Sequence, residues 1–172
     1  MRRILIATVV AAGALAMPAA ALAGPAGVPF KSAGSGTETS LSSPGCQFTL
    51  QGCTVQSNGT ATSSHMGTGP YVSTLTVDWA AATSNRAGGF CAPATGTGTI
   101  TAANGDTLDQ TEQGTVCEVG PTASNAPHSF SGTYTNTGGT GRFSTASGGG
   151  TVTGGDDGSG NSNYQETGTI SY

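Results

Sequence analysis

Residues 96–112 read Gly96-Thr-Gly-Thr-Ile-Thr-Ala-Ala-Asn-Gly-Asp-Thr-Leu-Asp-Gln-Thr-Glu112. The central Asn104-Gly105 pair favours the type I′ turn of a β-hairpin, because both of its positions need a positive φ. On the first arm, threonines alternate with glycine and Ile100. Such alternation is typical of a strand with one face on a core and the other in solvent. The stretch therefore predicts an antiparallel hairpin.

The same alternation recurs along the chain, and no stretch after residue 23 shows helical periodicity. Eight short strands with tight turns indicate a closed barrel or a sandwich. Glycine on the inner face suits the tight curvature of a small barrel. We therefore predict an all-β fold, an eight-stranded antiparallel β-barrel. The predicted strands lie near 34–42, 57–66, 71–83, 95–103, 106–117, 129–137, 142–154 and 163–172.

The chain begins with a pattern typical of a secretory signal peptide. Two arginines precede an almost wholly apolar stretch from Ile4 to Leu15, and the Ala-x-Ala pattern of Ala21 and Ala23 fits a cleavage site. The apolar stretch is shorter than the roughly 20 residues that a membrane-spanning helix needs. We therefore expect a secreted protein with no membrane anchor after cleavage. Its expected parts are a signal peptide (1–23), a flexible N-terminal segment (24–33) and one barrel domain (34–172).

Four cysteines lie beyond this leader, which indicates two disulfides in an exported domain. Three pairings are open. We favour Cys46–Cys53, which closes a short loop, and Cys91–Cys117, which joins the entry of one hairpin arm to the exit of the other. Metal binding is the alternative, but no Cys-x-x-Cys pair is present and the two histidines stand at no ligand-like spacing. We therefore expect no metal.

Charge excludes several classes of partner. Without the two leader arginines, three basic residues face nine acidic ones, which gives a net charge near −6. Nucleic-acid binding needs clustered cations, so we expect no nucleic-acid partner. The glycine-rich stretch 138–143 could be mistaken for a phosphate-binding loop, but that chemistry needs a following helix where this sequence predicts a strand. We expect no cofactor.

Five segments occur along the chain in an order that resembles the order found in a known family. They are Gly98-Thr-Ile-Thr-Ala-Ala-Asn-Gly-Asp-Thr-Leu108, Phe130-Ser-Gly-Thr-Tyr134, Gly138-Gly-Thr-Gly-Arg-Phe143, Gly148-Gly-Gly-Thr-Val-Thr-Gly154 and Gly168-Thr-Ile-Ser-Tyr172. Together they resemble the C-terminal half of the allene oxide cyclase-like barrel group, which includes plant allene oxide cyclases, dirigent proteins and small secreted bacterial proteins. The resemblance covers residues 96–172 well and 34–80 loosely.

The resemblance implies an eight-stranded, calycin-like barrel. The plant members are often trimeric, so it also implies a homo-oligomer. It carries over no catalytic residue, because the polar positions that plant cyclases and dirigent proteins use have no match in this sequence.

Glu112 and Glu166 are the main candidates for chemistry. Glu112 shares strand parity with Leu108, and Glu166 shares it with Ile170. In an apolar lumen, desolvation would raise the pKa of both carboxyls and equip one for acid–base work. Tyr134, Tyr164 and His65 could join them. The alternative is a solvated rim, which Gln110 and Gln113 favour because they make 106–117 polar on both faces.

Four further residues have plainer interpretations. His128 follows Pro127 and is interpreted as a solvated loop histidine. Trp79 is interpreted as core or as a plug at the barrel mouth, and Asp156-Asp157 as part of a Gly/Asp turn rather than a calcium site.

Three function hypotheses follow. The first is non-catalytic binding of a small apolar ligand in the lumen, or of a partner surface. The alternative is a cofactor-independent cyclase or isomerase, like allene oxide cyclase or dirigent proteins, acting inside the barrel. A third reading is a surface interaction through the threonine-rich outer face. The enzyme hypothesis requires that Glu112 and Glu166 face a cavity large enough for a substrate.

Overall fold

The computed structural model describes residues 27–41, 53–121 and 125–172, and its sheet is antiparallel throughout. Its strands are β1 (Val28–Ser40), β2 (Cys53–Ser63), β3 (Gly67–Val77), β4 (Thr83–Ser84), β5 (Phe90–Thr101), β6 (Thr107–Glu118), β7 (His128–Gly139), β8 (Ser147–Asp156) and β9 (Asn161–Ser171). The strand order is β3-β2-β1-β9-β8-β7-β6-β5-β4, and an additional pairing of β3 with β5 closes the sheet. Eight strands therefore form a closed barrel, and the short β4 pairs with β5. The predicted eight-stranded antiparallel barrel is confirmed.

The β5–β6 hairpin is present, but its turn differs from the prediction. Gly105 has a φ of +91°, whereas Asn104 does not have a positive φ. The Gly105 N–H donates to the Ala102 carbonyl at 2.9 Å. The Asn104 side chain accepts the Asp106 N–H at 3.2 Å, a local bond that needs no positive φ. The loop is therefore a three-residue turn ending in a left-handed glycine, and the predicted type I′ turn is wrong.

β1 starts earlier than predicted. The prediction placed residues 28–33 in a flexible segment, whereas the strand begins at Val28 and Phe30 is fully buried opposite Gly168 of β9. Pro29 weakens the strand signal in the sequence, although proline is tolerated near the first residue of a strand. β1 bridges β2 and β9, so the barrel needs its whole length to stay closed.

Two predicted strands are shorter than expected because 3-10 helices interrupt them. β3 ends at Val77, and the following 3-10 helix Trp79–Ala81 is capped by Asp78, whose Oδ1 accepts the Ala80 N–H at 3.1 Å. The predicted strand 142–154 begins only at Ser147, after the 3-10 helix Gly141–Phe143. Trp79 follows the end of β3, and Phe143 follows the end of β7, so they lie at opposite ends of the barrel. We call these the Trp79 end and the Phe143 end.

The predicted division into inner and outer faces is confirmed. On β7, Phe130, Tyr134 and Asn136 are buried, while the serine and threonines between them are exposed. The Phe143 end is densely packed by large side chains that are all at most 2% exposed, namely Phe30, Leu108, Tyr134, Phe143 and Ile170. Most of the largest fully buried side chains are therefore concentrated toward the Phe143 end of the barrel.

Cys91 and Cys117 face each other across β5 and β6 and form the predicted disulfide. Cys53, at the start of β2, is also disulfide-bonded. Its predicted partner Cys46 lies outside the described residues, as does the predicted signal peptide 1–23. In the described part of the chain, no helix has the length and apolar character to cross a membrane.

Candidate functional site

The half of the barrel at the Trp79 end contains a cavity of about 660 Å³. This volume falls within the range of about 300–1,000 Å³ that is usual for small-molecule sites. Inward-facing side chains line it, and its apolar wall is formed by Val55, Leu75, Val77, Trp79, Ile100, Val116, Phe130 and Val152. The cavity therefore offers a large apolar surface to a ligand.

Both candidate glutamates line this cavity. Glu166, on β9, is only 3% exposed, and Glu112, on β6, is partly buried. The amide Nε2 of Gln110 donates to the Glu166 carboxyl at 3.3 Å and to Asn136 Oδ1 at 3.2 Å. The predicted alternative of a solvated rim is wrong for Glu166, because Gln110 also points inward and binds it.

Burial determines the charge state of this pair. Burial raises the pKa of Glu166 to about 8, the charge of Glu112 adds to the rise, and the hydrogen bond from Gln110 opposes it. Burial also raises the pKa of Glu112. A carboxyl with a pKa of about 8 is mostly protonated at pH 7, so the Glu166 O–H can donate a hydrogen bond into the cavity.

A glycine on β5 leaves space for the side chains of Glu112 and Gln110. A Cβ at Gly98 would lie 3.3 Å from Glu112 Oε1 and 3.7 Å from Gln110 Oε1. A larger residue here would press on both side chains. The sequence feature that predicted a barrel, glycine on the inner face, thus also shapes the site.

A pair of tyrosines forms another part of the wall. The rings of Tyr71 and Tyr164 meet edge to face, with centroids 4.9 Å apart. The Tyr164 hydroxyl lies 3.0 Å from Ser32 Oγ, which in turn lies 2.8 Å from Ser63 Oγ. Burial raises the pKa of Tyr164, so its hydroxyl is neutral. The candidate Tyr164 therefore does join the two glutamates.

Tyr134 and His65 lie elsewhere. Tyr134 packs toward the Phe143 end, 6.1 Å from the ring of Phe30, and burial raises its pKa, with a smaller contribution from Glu166. Its hydroxyl has no hydrogen-bond partner in the part of the chain that the structure describes. His65 is exposed, and its Nε2 lies 2.9 Å from the carbonyl of Pro29. His65 also lies at the Phe143 end, so the structure does not bring it to the glutamates.

His128 is the site residue that sequence reasoning missed. It is the first residue of β7 and lines the cavity, so its interpretation as a solvated loop histidine is wrong. Its Nδ1 lies 2.9 Å from Asp156 Oδ2, across the β7–β8 pair. The hydrogen bond to Asp156 raises the pKa of His128, while burial opposes the rise. Strand parity with Phe130 was the signal that could have placed His128 on the inner face.

Two more carboxyls lie at the Trp79 end. Glu38, on β1, lines the cavity, and its pKa is raised by burial and then by the charge of Asp156. Glu118, on β6, is 2% exposed, and its Oε2 accepts the Phe90 N–H at 3.0 Å. Trp79 is buried at the same end, and its ring centroid lies 6.0 Å from that of His128. This end of the cavity therefore combines an aromatic ring with several acidic groups.

Family models, curated proteins and solved structures gave no match to this chain. Function is therefore inferred from the geometry of the site.

The cavity can support two kinds of chemistry. Its apolar wall can desolvate a ligand, and the Glu166 O–H can donate a hydrogen bond to an acceptor atom on that ligand. Carboxyls with raised pKa values can also exchange protons with a substrate near neutral pH. Among the described residues, no group of three or more His, Cys, Asp or Glu is arranged to hold a metal ion.

Proposed function

We propose that the barrel binds a small, mostly apolar molecule in the cavity at the Trp79 end. The observation that carries this proposal is the cavity of about 660 Å³, whose wall is mostly apolar and which also contains buried polar groups that a ligand can reach. That combination is the usual character of small-molecule sites. The Phe143 end holds the packed core, so the Trp79 end is available for a ligand.

Affinity would come from the wall and selectivity from the buried acids. Burying apolar ligand surface is favourable by about 25 cal/mol per Å². The buried Glu166 O–H favours ligands that bring a hydrogen-bond acceptor to it, because a ligand without one leaves this donor unsatisfied.

The test is titration of the purified protein with decanol and with a set of aromatic alcohols, read by native mass spectrometry. Val55→Phe narrows the cavity from β2, and Thr60→Phe adds the same ring on the exposed face of the same strand. We expect saturable one-to-one binding that Val55→Phe weakens by about tenfold and Thr60→Phe leaves unchanged. Absence of any retained ligand, or equal effects of the two variants, would overturn the proposal.

A second candidate is a cofactor-independent isomerase or cyclase, the activity that the resemblance to the allene oxide cyclase-like group implies. The observation that favours it is the presence of two carboxyls with raised pKa values in one cavity. Ionised Glu112 would take a proton from the substrate α-carbon while protonated Glu166 gives its proton to the substrate oxygen. Glu112 would then deliver its proton to the γ-carbon while Glu166 recovers the proton from the oxygen. The reaction is redox-neutral and needs no co-reactant.

Conversion of a β,γ-unsaturated ketone to its conjugated isomer, followed by ultraviolet absorbance, tests this candidate. We expect Glu166→Gln and Glu112→Gln each to lower the rate by about 100-fold. A carbon-13 titration that gives Glu166 an apparent pKa below 5 would remove the candidate, because the general acid would then be ionised at neutral pH.

We also propose that the protein is exported and that residues 1–23 are removed. The Cys91–Cys117 disulfide supports this, since such bonds persist mainly in oxidising compartments. Expression in a bacterial host followed by intact-mass analysis tests it. We expect the exported protein to begin at Gly24, and retention of the full-length chain inside the cell would contradict export.

A further inference from the structure

We propose that the ligand is a hydrophobic cation, with an ammonium group held between Asp156, Glu38 and Ser162 at the Trp79 end and an apolar body in the cavity. This inference rests on the proposed binding function and specifies its ligand class.

The ionisable groups that line the cavity are mostly acidic. Besides Glu166, which burial keeps neutral, the lining residues include the carboxyls of Glu38, Glu112, Glu118 and Asp156. Within the described residues the lining contains no lysine or arginine, and His128 is its basic group. A cavity with low-dielectric walls and acidic groups attracts cations and repels anions. Carboxylate and phosphate ligands are therefore disfavoured relative to amines with the same apolar body.

Three strands bring the proposed ammonium site together. Ser162 on β9 pairs with Asp156 on β8 and with Gly36 on β1, and Glu38 follows Gly36 by two residues on the same inward face. The carboxyl oxygens of Asp156 and Glu38 and the hydroxyl of Ser162 are all acceptors that an ammonium N–H can use.

Ser162 supplies an independent indication of a ligand. Its side chain lines the cavity and the residue is only 8% exposed. Its hydroxyl makes no hydrogen bond within 3.5 Å among residues 27–41, 53–121 and 125–172, and its interaction with the Tyr71 hydroxyl lies outside normal hydrogen-bond geometry. Buried polar groups in native proteins are nearly always paired, and leaving one unpaired is costly. A ligand N–H at this position would satisfy the hydroxyl.

The remaining groups at this end also favour a cation. Asp156 is held in place, because its Oδ1 accepts the Gly158 N–H at 2.8 Å and its Oδ2 lies 2.9 Å from His128. Glu38 and Asp156 repel one another, and a cation between them would remove that repulsion. The indole of Trp79 lines the same end and offers a π face, which is the best aromatic partner for an ammonium.

The experiment compares decylamine, decanol and decanoate, which share one tail, at pH 7 and below their micelle-forming concentrations. Trp79 is the single tryptophan of the chain, so its fluorescence reports directly on the cavity. Native mass spectrometry gives the stoichiometry. We expect decylamine to bind at least about tenfold more tightly than decanol, and decanoate at least about tenfold more weakly than decanol.

Variants locate the site. Three variants remove one group of the site each, namely Asp156→Asn, Glu38→Gln and Ser162→Ala. Each should weaken decylamine binding by about fivefold to tenfold and change the affinity for decanol by less than about twofold. Asp109→Asn removes the same charge from the outer face of β6, where Asp109 accepts the Thr99 hydroxyl, and should leave both affinities unchanged. Thermal unfolding of each variant shows whether it is folded, and Glu38→Gln and Ser162→Ala leave the His128–Asp156 pair intact.

The outcomes separate the two proposals. If none of the decyl probes binds, the proposed binding function fails. If decanol binds as tightly as decylamine, or if the three variants weaken decanol as much as decylamine, the cavity binds apolar molecules but the inferred cation preference is overturned.

Discussion

Glu166 is an acid that the barrel holds in its neutral form. It is 3% exposed, its carboxyl accepts one hydrogen bond from Gln110, and the nearby charge of Glu112 disfavours its ionisation. Ionising a buried carboxyl without a cationic partner is costly. An apolar residue would fill the same space at a smaller cost, so the presence of Glu166 at this position fits a role toward a ligand.

The raised pKa of Glu166 predicts how stability depends on pH. Its ordinary value is 4.5 and its folded value is about 8. Between these values the folded protein keeps a proton that the unfolded chain has lost, so the free energy of unfolding falls as pH rises through this window. The loss is on the order of a few kcal/mol. Urea unfolding at pH 5 and pH 8 measures it.

The variant Glu166→Gln tests whether Glu166 causes this pH dependence, because glutamine stays neutral at every pH. We expect its stability to change less than that of the wild type between pH 5 and pH 8, with a remaining slope from Glu112 and Glu38, whose pKa values are also raised. Equal slopes in the variant and the wild type would show that Glu166 is ionised in the folded state.

For individual residues, the sequence predicted which side chains point inward but not their hydrogen-bond partners. Strand parity placed Glu112 and Glu166 on the inner face, and the structure agrees. Parity alone gave no reason to pair Gln110 with Glu166, which lie 56 positions apart. That contact depends on how the strands wrap around the lumen, which no local pattern encodes.

The β5–β6 hairpin was predicted from local sequence, although its turn type and the start of β5, at Phe90, differ from the prediction. Its strands are joined at one end by the Asn104-Gly105 turn and near the other by the Cys91–Cys117 disulfide. Element boundaries were predicted less well, because Asp78 starts a 3-10 helix inside an apolar run and Gly141–Phe143 starts another inside a glycine-rich one. Both helices form through short-range hydrogen bonds that interrupt the strand pattern.

Removing the hairpin's disulfide should destabilise the barrel. The bond joins residues 26 positions apart, and the loop-entropy model gives roughly 3.5 kcal/mol for such a loop. The double variant Cys91→Ser/Cys117→Ser tests this by urea unfolding without reductant, so that the disulfide at Cys53 is kept. Thr97→Ser/Thr111→Ser, at a directly opposed pair on the same strands, is the control and should change stability by less than about 0.5 kcal/mol. A loss below about 1 kcal/mol in the cysteine variant would contradict the prediction.

The whole molecule combines a packed end and a cavity end. The fold class could be predicted from the sequence because alternation and glycine placement repeat on every strand. The cluster of Glu38, Glu118, His128 and Asp156 at the Trp79 end could not, since its members come from β1, β6, β7 and β8 and meet only when the barrel closes. His128 shows the difficulty, because its neighbours in sequence suggested a loop while its partner Asp156 lies across the sheet.

This division predicts that truncating a leucine to alanine lowers the free energy of unfolding by different amounts at the two ends. Leu108 is fully buried toward the Phe143 end, so Leu108→Ala should lower the free energy of unfolding by about 3–4 kcal/mol, since its neighbours cannot fill the space. Leu75 lines the existing cavity and is only partly buried, so Leu75→Ala should cost about 1 kcal/mol. Urea unfolding at pH 7 measures both, and a decanol titration should show weaker binding for Leu75→Ala but not for Leu108→Ala. Equal losses of stability would mean that the lumen at the Trp79 end is as tightly packed in solution as the Phe143 end, and that the division into a structural and a binding half does not hold.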